Sequence, residues 1–243
     1  MIDWDETWPL STAGERLELP MGLALARAGA PETHLWRTQP PQAPRLLRLP
    51  GGYLRLVPTV PDEPLVLRFD ARLDLAPGAG RAVVYAGLPV NLRVEHMPVG
   101  ERAAAVPVLE HTVPALRRRL AVGQVEAPQM ARCVDVTLHD APGSVGEGLA
   151  VLPLRIALPE EGVRSLDRVM LPRGGLSLWA GGRQLFASAV EVDLADDDAV
   201  EVRSLAEVPR PDVSLRFGPS SETGSFSLRS LVRALTQRAM GSD

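Results

Sequence analysis

At 243 residues, 45% of them hydrophobic, the chain is long enough to bury its own core and falls outside the disordered class. All 26 cationic residues are arginine, which excludes reactions needing a phosphate-loop lysine, a Schiff-base lysine or a lysine general base. A net charge of -4 argues against a general nucleic-acid binder, whose footprint is a basic stripe.

The chain begins Met1-Ile2-Asp3-Trp4-Asp5-Glu6, an acidic start without the basic and apolar regions of a signal peptide. Cys133 is the only cysteine, so no intrachain disulfide calls for an oxidising compartment. No stretch reaches the roughly 18 apolar residues of a membrane helix. The expected location is the cytoplasm.

From there the sequence reads as short strands. Gly (21) and Pro (23) punctuate most of the chain. Their recurrence at about 8–12-residue intervals is the spacing of sandwiches and barrels. Segments of period two lie between the breaks: Arg16–Leu19, Tyr53–Val57, Leu65–Phe69, Asn91–Glu95, Arg132–Leu138 and Val190–Leu194. That period puts one face in the core and one in water, as in antiparallel sheets. One hairpin is predicted from Leu73-Asp74-Leu75 to Ala82–Tyr85 across a Pro/Gly turn. A second runs from Leu176–Trp179 to Gln184–Phe186 across Gly181-Gly182. Leu149–Leu158 reads as a central strand, with Pro153 marking a bulge or an edge position because it lacks an N–H.

Residues 218–225 have a linker composition. Beyond them Leu228, Leu231, Val232 and Leu235 fall at i, i+3, i+4 and i+7, which predicts an amphipathic helix. Ser227 serves as its N-cap, and Phe226 packs on Leu231 as a hydrophobic staple. Such a helix is marginal alone in water and has to dock on its own core or on a partner. An anionic membrane surface is a weaker match, since three arginines and four aliphatic residues give modest binding.

The chemistry-bearing residues form no site. Cys133, Asp135, Thr137 and His139 share one face of an extended strand, but Cys133 and His139 would stand about 20 Å apart. No thiolate–imidazole dyad spans that distance. His34, His96, His111 and His139 lack metal-ligand spacing, so no metal and no cofactor is implied. The acidic residues Asp193 and Asp196–Asp198 read as a solvated hairpin loop, and Arg117-Arg118-Arg119 as an exposed charge run. Gly143–Gly148 precedes a strand, whereas a phosphate loop leads into a helix N-terminus. Trp4, Trp8, Trp36 and Trp179 are the nominal sugar-stacking platforms.

The stretch Leu65–Val94, with Leu65–Phe69, Ala76-Pro77-Gly78 and Leu88-Pro89-Val90, resembles a prokaryotic family, domain of unknown function four-three-two. Leu149–Leu158 and the Val169-Met170-Leu171-Pro172 turn are similar to it as well, for about half the chain in all. Thr112–Met130 departs from its pattern. The resemblance implies no activity and no catalytic residues.

The sequence therefore predicts an all-β fold of two antiparallel β-sandwich-like subdomains, residues 1–102 and 103–217, with a break near Pro98–Pro107. Ala141–Gly148 is the competing boundary. A linker and short helix follow over 218–243. The expected function is a non-enzymatic binding or accessory protein acting through protein contacts, or self-association, of that helix. The alternative is a small-ligand sensor or enzyme with a site between the subdomains.

Overall fold

The computed structural model describes residues 2–4, 6–11, 13–39, 44–61, 63–100, 104–122, 129–146, 148–171, 176–181, 183–194, 200–205, 215–217 and 225–227. In chain order the first strands are β1 (Thr7–Pro9), β2 (Arg16–Glu18), β3 (Ala24–Arg27), β4 (Leu35–Thr38), β5 (Leu46–Arg48) and β6 (Tyr53–Thr59). Then come β7 (Leu65–Leu75), β8 (Arg81–Pro89), β9 (Asn91–Met97), β10 (Val106–His111), β11 (Arg119–Val122), β12 (Gln129–Val136) and β13 (Leu138–His139). The last are β14 (Leu149–Ala157), β15 (Arg164–Leu171), β16 (Leu178–Gly181), β17 (Gln184–Ala187), β18 (Val190–Leu194), β19 (Val200–Ser204), β20 (Leu215–Phe217) and β21 (Ser225–Ser227). The only helical segments among the described residues are four 3-10 turns of three residues.

The chain forms two compact units, and it changes unit three times. One unit holds Met1–Pro58 and Asn91–His111, the other Thr59–Val90 and Thr112–Asp243. The predicted single boundary between residues 102 and 103 falls inside the Asn91–His111 segment. The reason lies in two neighbouring strands: β8 and β9 are separated only by Val90 yet pair in different sheets.

The first unit contains two four-stranded sheets, in the orders β1-β6-β9-β10 and β2-β3-β4-β5. The second of these is an antiparallel meander. Alternation is visible in burial: Leu54, Leu56, Leu92 and Val94 are buried, while Tyr53 and Arg55 on the opposite face of β6 are exposed. Trp36 is buried in the meander sheet, and the Arg27 guanidinium sits 4.6 Å from its ring centre, a cation–π contact.

The second unit contains a four-stranded sheet in the order β11-β12-β7-β15 and a nine-stranded sheet centred on β14. The two touch where β15 meets β19 and where β12 meets β8. The predicted purely antiparallel pairing is corrected here. β12 runs parallel to β7, and β14 runs parallel to both β17 and β18. On its other edge β14 pairs antiparallel with β8 along its whole length. Ala150, Leu152, Leu154 and Ile156 are each fully buried, as a central strand requires.

Pro153 is legible in this arrangement. Ala150 and Val151 pair with β17, and Leu154 to Ile156 pair with β18, so Leu152 and Pro153 lie where one partner gives way to the next. The strand is central, not an edge, and the missing N–H coincides with a gap in the ladder.

The predicted hairpin from Leu75 to Ala82 is also corrected. β7 and β8 belong to different sheets, and the turn between them is bonded to the end of β14 instead: Gly78 N–H donates to Pro159 O, and Leu158 N–H to Gly80 O. The predicted pairing of Leu176–Trp179 with Gln184–Phe186 is present as β16 and β17, with Trp179 opposite Phe186 and Gly181 opposite Gln184; Gly182 lies outside the described residues.

At the C-terminus, Ser225–Ser227 is a strand at the edge of the nine-stranded sheet, with position 226 opposite Val202 of β19. The helix that Ser227 is expected to cap, and the Leu231 on which Phe226 is expected to pack, fall beyond this strand. Leu228, Leu231, Val232 and Leu235 lie outside the described residues.

Outermost strands are blunted against adding a further strand. β10 carries Pro107 and a bulge between Pro107 and Leu109. β15 is bulged between Leu166 and Arg168, and β1 is three residues ending in Pro9.

Candidate functional site

The predicted row Cys133, Asp135, Thr137, His139 divides between two sheets. β12 ends at Val136, Thr137 is a connector, and β13 crosses to the nine-stranded sheet, where His139 pairs with Tyr85 of β8. Cys133 is 3% exposed, packed in the ladder opposite Val66, so it is a buried thiol and not part of a wet face.

Asp135 is exposed, and the parallel register places it opposite Arg68. Arg68 Nε donates to its Oδ1 at 2.6 Å, and Arg118 Nη1 lies 3.6 Å from Oδ2. The hydrogen bond from Arg68 holds the Asp135 carboxyl below its ordinary value of 3.8, with the charge of Arg118 assisting. Such a carboxylate is a poor proton acceptor at neutral pH. Because the folded form holds the proton less tightly than the unfolded one, its contribution to stability is complete above the ordinary carboxylate range. That contribution is lost as pH falls through the depressed value. A carboxyl-carbon NMR titration should show Asp135 protonating below 3.8, and moving upward in the Arg68→Leu variant. An identical titration in both proteins would remove Arg68 as the cause.

Among the described residues the most deeply buried charge cluster lies in the other unit and is absent from the sequence-predicted candidates. Glu95 of β9 is 5% exposed. Arg55 of β6 donates from Nε (2.9 Å) and Nη2 (2.8 Å) to its Oε2, and Arg93 from Nε to its Oε1 at 2.9 Å. Arg93 and Glu95 are two apart on one strand and so share a face; Arg55 reaches them from 40 residues away. Both carboxylate oxygens are taken by guanidinium donors, so the cluster is a clamp between strands and offers no vacant base. Beside it, His96 Nε2 meets Gly51 O at 2.5 Å and ties the Gly51-Gly52 turn to β9.

The remaining predicted features are likewise spoken for. Arg117, Arg118 and Arg119 are all exposed, each with its own partner: Arg117 caps a 3-10 turn and donates to Thr112 O, Arg118 faces Asp135, and Arg119 pairs with Glu63. Asp193 is on β18, not in the loop, and binds Arg81 and Arg203; residues 195–199, with Asp196–Asp198, lie outside the described residues. Trp4, Trp36 and Trp179 are buried and so are not stacking platforms, and Trp8 is half-buried. His96 and His111 are buried. Among the described residues no group of three His, Cys, Asp or Glu side chains is placed to hold a metal, and no helix is long and apolar enough to cross a membrane.

Residues 37–233 match the model of one family, described as protein of unknown function (DUF432). The chain belongs to the DUF432 family. The match runs from Arg37 in β4 past β21, so DUF432 takes in parts of both units, and the segments Leu65–Val94 and Leu149–Leu158 lie inside it. Thr112–Met130, where the resemblance lapses to the eye, lies inside it too. No curated protein and no solved structure matches the chain. DUF432 membership carries no activity and no site residues to transfer.

Proposed function

We propose that this DUF432 protein works in the cytoplasm by binding, holding another protein or a second copy of itself through its C-terminal segment. The contact residues are Leu228, Leu231, Val232 and Leu235, with Phe226 immediately before them. One observation carries the reading. Among the described residues β21 is the outermost strand beyond β19 and ends at Ser227, so the apolar stripe follows directly on the edge strand in the chain. An apolar stripe at helical spacing gains stability only by covering another apolar surface. Elsewhere, the charged side chains described above are engaged with one another.

Truncation tests this, and β21 fixes where to cut. A chain ending at Ser227 keeps the edge strand and should unfold at the same midpoint as the full chain. In light scattering it should lose the full chain's oligomeric state, or in affinity capture the specific protein recovered with it. A truncated chain that unfolds would put the segment in the core. One that keeps the same assembly and partners would sink the docking role.

A further inference from the structure

We draw no further inference here: the strongest candidate, the Arg55–Glu95–Arg93 cluster on the β1-β6-β9-β10 sheet, has its guanidinium forks closed on Glu95 of the same sheet with Glu110 opposite Arg93 in the ladder, and nothing in the structure shows what ligand or partner would cover it.

Discussion

Replacing Leu154 with alanine is expected to destabilise the second unit by about 2–5 kcal/mol, because the side chain is fully buried and the cavity it leaves cannot collapse. Leu154 stands between Val84 of β8 and Val190 of β18, with Val190 itself fully buried. Neighbours held on both edges by ladder hydrogen bonds have little room to move into the void. The control is one residue away on the same ladder. Val83 of β8 is 47% exposed, and Val83→Ala should change stability by less than about 0.5 kcal/mol. Urea unfolding of the two variants decides the matter. Equal losses would mean β14 is not the centre of its sheet.

Gly52→Ala should cost a similar amount, about 2–5 kcal/mol, through the backbone and not the core. Gly52 has φ of +90°, and a Cβ there would lie 2.2 Å from the carbonyl oxygen of Met97. That oxygen belongs to β9, and Gly52 O accepts from Leu10 N–H, so neither side of the contact can retreat cheaply. Gly51, its neighbour, has φ of +68° and open space around the same position, so Gly51→Ala should cost only the left-handed strain, about 1–2 kcal/mol. Equal costs at both positions would mean that the Gly52–Met97 approach is not as close as described.

These two sites show what a single sequence displays and what it hides. The strands were largely legible. The first four residues of β6, β9 and β18 alternate between buried and less buried positions, because one face of each is dry and the other carries polar side chains. The β16–β17 pairing was legible too, since its partners are neighbours in the chain. Pairing between distant segments was not. Nothing local to Leu65–Phe69 or Arg132–Val136 states that the two lie side by side and run the same way. The Pro/Gly turn after Leu75 specified a reversal but not that it joins two sheets, so it read as a hairpin.

The reading of Cys133 as part of an exposed polar row failed for a related reason. Alternation assigns a face, whereas burial depends on what crosses that face. Cys133 shares its side of β12 with exposed Asp135 yet is buried, and Glu95 sits on a polar face yet is covered by Arg55 from another strand. The pair Arg93-x-Glu95 was the one available signal, since residues two apart on a strand are neighbours.

The parallel register of β7 and β12 is the feature on which the second unit's architecture depends, and the single cysteine makes it directly measurable. Cys133 lies opposite Val66. Neighbouring strands stand about 4.8 Å apart, within the roughly 4.4–6.8 Å a disulfide spans. In the Val66→Cys variant, mild oxidation should form an intrachain link that removes both thiols and speeds migration on a non-reducing gel. Asp70→Cys, four residues further along β7, should leave both thiols free. If the Asp70 variant links and the Val66 variant does not, β7 and β12 do not pair in the register described.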